Sequence, residues 1–299
     1  MAYPAQFYWS DRTTKVMGHH MLIRTGYDIA FETTAPTAMS LLLSVHPSRR
    51  NDLRSPEAIR FDPPIPQRQT VDPFGNVCTR IVAPPGRITI SSDLLIADSG
   101  LPDAVAPQAS QAAVDALPDE VMTYLMASRY CDTDKLTATA WQLFGQTPEG
   151  WARVQAIVDY VHRHIRFDYM QADATRSAHD GFVQRVGVCR DFAHLAIALC
   201  RCMNIPARYC TGYLGDIGVP AVPDPMDFSA WLEVYLGGRW YTFDARHNTP
   251  RIGRIVMARG RDATDCAIST SFGAARLMRF EVHTDEVTET APAGLMRAA

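Results

Sequence analysis

The chain has 299 residues, 47% of them hydrophobic and 20% charged, with a formal net charge of −3. These proportions describe an ordinary globular protein, long enough for one large domain or two, and two is the expectation. Scattered Lys and Arg leave no basic stripe for nucleic acid, and no apolar run approaches a membrane span.

Residues 1–17 are polar and aperiodic, a tail or an overextended start, and residues 1–20 lack the basic, apolar, small-residue order of a secretory signal. A cytoplasmic protein is expected. Seven cysteines (78, 131, 189, 200, 202, 210 and 266) contain no CxxC pair, and an odd number fits poorly with a disulfide framework. Cys200 and Cys202 are read as structural.

Residues 18–100 are expected to form a small β-sandwich. Runs at 21–31, 38–45, 68–71, 77–82 and 87–97 are separated by Pro, Gly, Asn and Asp clusters, as strands are. Asp72-Pro73-Phe74-Gly75-Asn76 suits a hairpin, with Gly75 or Asn76 at positive φ. Residues 101–117, rich in Pro, Ala and Gln, form a linker, and 118–284 are expected to be the core domain, followed by a tail at 285–299. Pro118-Asp119-Glu120 reads as a helix first turn. A second helix spans about 148–164, with Trp151, Val154, Ile157, Val158, Val161 and Ile165 on one side and His162 and His164 flanking it. Residues 168–186 are polar and turn-rich, a loop expected to lie over the Cys189 site.

From Phe192 the apolar residues Leu195, Ala196, Leu199 and Met203 mark a helix with one buried face. Cys189 falls in its first turn, at the edge of that face. There, unpaired backbone N–H groups and the helix dipole are expected to lower the thiol pKa from roughly 8.5, making a nucleophile. The plainer reading is a small hydrophobe at a helix start. Gly187, which permits a close turn, and Arg190 and Asp191, expected to keep the first turn wet, favour the nucleophile.

Asn204-Ile205-Pro206 stops the helix, 207–214 reads as a strand and 215–227 as a loop. Then 228–236, Gly237-Gly238 and 239–244 form a hairpin whose two-residue turn fixes Leu236 opposite Arg239. Continuing that register puts Trp231 opposite Asp244 and Ser229 opposite Arg246, all on one sheet face. The basic stretch 251–261 is expected to decorate a solvated face.

Gly187-x-Cys189-x-Asp191, Ile205-Pro206-Ala207-Arg208 with Gly212-Tyr213, Ala230-Trp231-x-Glu233-x-Tyr235 and Phe243-Asp244 together resemble the bacterial transglutaminase-like cysteine protease superfamily. The resemblance covers most of the chain, in order. It implies an α+β fold: a papain-like core, with a Cys-bearing helix packed on an antiparallel sheet, behind a β-rich N-terminal region. It also implies that Cys189 is the nucleophile and Asp244 the acid that orients a histidine. The departure is Ser229, which stands where the family usually has that histidine, immediately before Ala-Trp. Serine is no base near neutral pH. His194 lies roughly 140° around the helix from Cys189 and is expected to point away from thiol and core alike. His247 is the best substitute if a turn after Asp244 redirects it, and His179 is a further candidate.

Three functions compete. The first is a cysteine hydrolase or acyltransferase cleaving amide or peptide bonds through a thioester at Cys189. The second is a catalytically impaired domain that binds peptides or proteins, and the third a redox-sensitive thiol. The enzyme stands first, with a peptide or protein substrate. No metal or nucleotide cofactor is implied, and the cleft walls are expected at 168–186 and 215–227.

Overall fold

A computed structural model describes residues 21–222 and 225–287. The expected tail at 1–17, and the C-terminal tail from 288 onward, lie outside the described residues.

The N-terminal strands are β1 (Met21–Thr33), β2 (Thr37–Leu41), β3 (Arg60–Asp62), β4 (Arg68–Val71), β5 (Val77–Ala83) and β6 (Gly86–Asp98). β1, β6 and β3 lie in one antiparallel sheet, and β2, β5 and β4 in another. Alternate residues face inward: Ile88, Ile90, Leu94 and Ile96 of β6 meet Met39 and Leu41 of β2 and Ile81 of β5 in one core. Each such buried aliphatic side chain contributes about 1.5–3 kcal/mol. The turn at 72–76 forms as expected, with Gly75 at φ 85°. Its Asp72 carboxylate accepts the Phe74 and Asn76 N–H groups.

Next come α1 (Asp119–Met122), α2 (Thr133–Phe144), α3 (Trp151–His164), β7 (Arg166–Phe167), α4 (Ala178–Gln184), β8 (Val186–Gly187), α5 (Cys189–Cys202), β9 (Ala207–Tyr213), β10 (Ser229–Leu236), β11 (Arg239–Phe243) and β12 (Ile255–Gly260). Two elements depart from the expectation. α2 carries a weak signal in the sequence, because it offers only Leu136, Ala140 and Phe144 to the core. The stretch at 168–186 is no simple loop: it contains α4, whose capping box runs between Ser177 and Asp180.

α5 is the central element, packed by α2, α3, α4, β9 and β10. Its apolar period predicts one buried face, yet every residue from Asp191 to Cys202 is buried. Its polar members are held by partners from other segments, although Asp191 Oδ1 and His194 Nδ1 find no hydrogen-bond partner among the described residues. Arg201 donates to the carbonyls of Ala207 and Met126. His194, expected to point away from the core, is fully buried, accepts the Ala263 N–H at 3.1 Å and stacks on Tyr130. Nor is the first turn wet at Asp191, which is 1% exposed.

The sheet on α5 has the order β11-β10-β9-β12. Ala230, Leu232, Val234 and Leu236 of β10 join the helix core, while Trp231 packs with Cys210 and Val256 in a separate small cluster. Leu236 pairs with Arg239 as the Gly-Gly turn requires. Both glycines hold positive φ, 55° and 82°.

The chain then returns to its start. β13 (Ser269–Ser271) pairs with β2, and β14 (Ala275–Glu286) pairs with β1 along most of its length. A boundary at 284 therefore cuts through a strand whose hydrogen bonds lie in the N-terminal sheet. Asn76 joins the two regions by a reciprocal pair, donating to the Arg259 carbonyl and accepting the Arg259 N–H, both at 2.8 Å.

Candidate active site

Cys189 is the first residue of α5, and its position is set by the residues on either side of it. The Asp191 carboxylate turns back to accept the Val188 N–H at 2.8 Å and the buried Arg176 guanidinium at 3.1 Å. A Cβ at residue 187 would sit 2.3 Å from the Asp191 carboxylate. Glycine is therefore needed where the strand β8 runs into the helix, and the Gly-x-Cys-x-Asp spacing is one local device.

The thiol lines a cleft of about 440 Å³ together with Ser229, His247, Asp227, Arg246 and Arg251. Tyr169 contributes from one expected wall, with Phe167 of β7 just before it, and Asp216, Val219, Pro220, Val222, Pro225 and Met226 from the other. Asp244 lies just behind His247. The β10–β11 ladder ends at Leu232 opposite Phe243, so Asp244 opens a turn and does not pair with Trp231. The turn is closed by the Asn248 N–H on the Asp244 carbonyl at 2.8 Å. It swings His247 back: His247 Nδ1 stands 2.9 Å from Asp244 Oδ2. An ionised carboxylate can only accept, so Nδ1 donates and Nε2 is the nitrogen left as a base.

Asp244 is 5% exposed. Burial alone would raise its pKa, but the Arg254 guanidinium at 2.9 Å and the His247 ring and N–H overcome this and hold the carboxyl well below the usual range. Arg254 also binds Asp103 at 2.8 Å and lies over the Trp231 ring. The basic stretch 251–261 is thus no solvated face. Arg251 and Arg254 are buried, and Arg259 pairs with buried Glu233. Nothing local in the sequence distinguishes these arginines, because their acids come from distant strands and the linker.

The expected depression of the Cys189 pKa is reversed. Burial pushes the half-buried thiol up to about 11, and the Asp227 charge adds to it; the Arg246 charge and the Ala230 N–H pull the other way without prevailing. Dipole effects at a helix end are small beside desolvation. Asp227 itself is raised by burial, against a hydrogen bond from the Phe228 N–H and the charge of Arg246.

Ser229 is buried, and its hydroxyl finds no hydrogen-bond partner among the described residues. Of the other histidines, His162 Nδ1 faces the Ala245 and Arg246 carbonyls, and His164 Nε2 faces the Phe182 carbonyl. His179 does not line the cleft. Sequence reasoning missed Arg254 and Asp227, which carry no spacing signal, and placed Arg246 beside Asp244 without giving it a role.

Among the described residues no group of three or more His, Cys, Asp and Glu side chains is placed to hold a metal, and no helix is long and apolar enough to cross a membrane. An uncharacterized Mycobacterium leprae protein (strain TN) is 27% identical over 207 residues, 66% of this chain and 72% of its own. A crystal structure of a candidate cysteine protease from Cytophaga hutchinsonii is 29% identical, covers 90% of this chain and 91% of its own, and superposes with a TM-score of 0.78. Residues 137–245, which run from α2 to just past Asp244, match the core-domain model of the transglutaminase-like superfamily. α5, the strands β9, β10 and β11 and Asp244 all fall inside that match, and residues 137–245 form a transglutaminase-like core domain.

Proposed function

We propose that the protein is a cysteine hydrolase or acyltransferase acting on amide bonds of peptides or proteins, with Cys189 as nucleophile, His247 as base and Asp244 as the group that orients it. The observation that carries this is the His247–Asp244 hydrogen bond of 2.9 Å, made by a histidine that shares its cleft with Cys189. The His–Asp relationship that the family normally spreads over two strands is supplied here within one turn, so Ser229 takes no part in proton transfer.

With the thiol pKa at about 11, thiolate at pH 7 is on the order of one part in ten thousand. The resting state is thus thiol and imidazole, and His247 Nε2 takes the Sγ proton as sulfur attacks the carbonyl carbon. The Cys189 N–H, at a helix start with no intrahelical acceptor, is available to the oxyanion. The tetrahedral adduct collapses to a thioester as the His247 proton passes to the departing amine. Water or a second amine then attacks the thioester, His247 takes its proton, and the proton returns to sulfur as Cys189 leaves.

In this reading residues 118–268 form the catalytic unit, and the sandwich, with β13 and β14, is a scaffold. The seven free thiols support a reducing, cytoplasmic setting. A binding module remains the second reading, favoured by the elevated thiol pKa; the same elevation argues against the redox sensor.

The test is acylation of Cys189 by a chromogenic peptide anilide, followed by mass spectrometry of the trapped enzyme. A thioester adduct in the parent, lost in both Cys189→Ala and His247→Ala, supports the enzyme. No adduct in the parent, with peptide binding retained, leaves the binding module.

A further inference from the structure

We propose that the cleft carries a carboxylate subsite built from Arg246 and Arg251, so that its substrates are peptides with an acidic side chain or a free carboxyl group close to the amide attacked; this names the substrate class of the cysteine enzyme proposed above and rests on that reading. Arg246 follows Asp244 by two residues, and its N–H is fixed on the Asp244 carboxylate at 2.9 Å. Its guanidinium lies over the Phe167 ring at 3.8 Å from the centroid, with Tyr169 at 5.7 Å. Among the described residues it makes no side-chain hydrogen bond and no ion pair. A guanidinium seated over an aromatic ring is preorganised, and its N–H donors, unpaired among the described residues, are open to a planar anion.

Arg251 enters the same cleft from the chain beyond the turn, with a side chain only 5% exposed. One Nη2 proton goes to the Gly215 carbonyl at 2.9 Å, and Asp216 Oδ1 stands 3.6 Å away. Its Nε is buried and has no hydrogen-bond partner among the described residues. An unpaired buried cationic donor costs free energy, and an arriving carboxylate removes that cost. Guanidinium groups bind carboxylates through paired N–H donors in a way that discriminates them from carboxamides.

The acids in the cleft do not cancel this. Asp216 is engaged by the Val222 N–H at 2.9 Å and by Arg251. Asp227 makes no ion pair with Arg246 among the described residues, and its carboxylate is engaged by the Phe228 N–H. The subsite flanks the thiol, because Arg246 is close enough to act on the Cys189 charge. An acidic group bound there therefore sets which amide reaches sulfur.

The experiment measures equilibrium binding of two fluorescein-labelled hexapeptides, alike except for a single central Glu or Gln, to the Cys189→Ala protein by anisotropy. The Glu peptide is expected to bind about tenfold more tightly, the discrimination a charge-assisted contact supplies, and to lose that advantage in 0.5 M salt. The preference is expected to vanish in Cys189→Ala/Arg246→Gln, with Arg251→Lys as the second variant should the first melt at a lower temperature. Equal affinities, or a preference that survives both substitutions in folded protein, overturn the subsite. Because binding is read without turnover, a wild-type protein that forms no acyl adduct defeats the enzyme reading separately.

Discussion

His247 Nδ1 meets Asp244 Oδ2 at 2.9 Å across a turn of three residues. The proposed base and the carboxylate that orients it are thereby fixed by local chain geometry, and the carboxylate is anchored from behind by Arg254 at 2.9 Å. Loss of the base in His247→Ala should lower turnover about 10²–10⁴-fold, and Asp244→Asn, which reverses the preferred tautomer, should fall in the same range. Steady-state kinetics of both variants, with added imidazole restoring part of the His247→Ala rate, is the check.

Ser229 should be dispensable. Its hydroxyl is buried without a partner, so Ser229→Ala removes a desolvated group and should change stability by no more than about 1 kcal/mol, in the stabilising direction. Turnover should stay within about threefold, since serine moves no proton at this pH. A drop as large as that of His247→Ala would return the proton-transfer role to position 229.

Alkylation of Cys189 should reach half its maximal rate near pH 11, far above an ordinary thiol. Removing the Asp227 charge stabilises the thiolate, so Asp227→Asn should move that midpoint down, and Arg246→Gln should move it up. Iodoacetamide rates between pH 6 and 11, with Cys189→Ala as the blank, read both shifts on the limb below the midpoint, as a faster rate at fixed pH in Asp227→Asn and a slower one in Arg246→Gln.

Gly187→Ala should break the helix start. The added Cβ would lie 2.3 Å from the Asp191 carboxylate, forcing that side chain off the Val188 N–H and Arg176 at a cost of about 1–3 kcal/mol. Urea denaturation reads the cost. Cys189 reactivity should change with it, because the same contacts place the thiol.

His194 should make the fold acid-sensitive. Burial lowers its pKa well below the ordinary 6.5, although the charge of Asp262 opposes this. The unfolded chain therefore binds a proton that the folded one refuses. Its contribution is complete above pH 6.5 and is lost as pH falls from there toward the folded pKa. His194→Gln, which can still accept the Ala263 N–H, should show a shallower loss of stability between pH 7 and 4.

Much of the fold is written in local patterns. The sandwich strands follow from period-two alternation, the β10–β11 register from Gly237-Gly238, and the place of Cys189 from Gly187 and Asp191, all interactions within a few residues. The N-terminal partner of β14 is not legible, because pairing Ile23 with Glu286 leaves no trace in either segment alone. Nor is α2 legible, with few core residues to mark its period.

In the candidate site, residue type and spacing single out Cys189, Asp244, His247 and Ser229 in the sequence, and the structure brings Cys189, Ser229 and His247 to one cleft with Asp244 behind His247. Tertiary structure decided what they experience. Only packing could bury Cys189 beside Asp227 and reverse the expected direction of its pKa, since desolvation depends on distant chain. Only packing could bring Arg254 onto Asp244, or seat Arg246 over Phe167. Sequence determines which groups exist and how near neighbours bend the backbone; solvent exclusion and charge from remote segments, which set protonation and recognition, arise when the layers close.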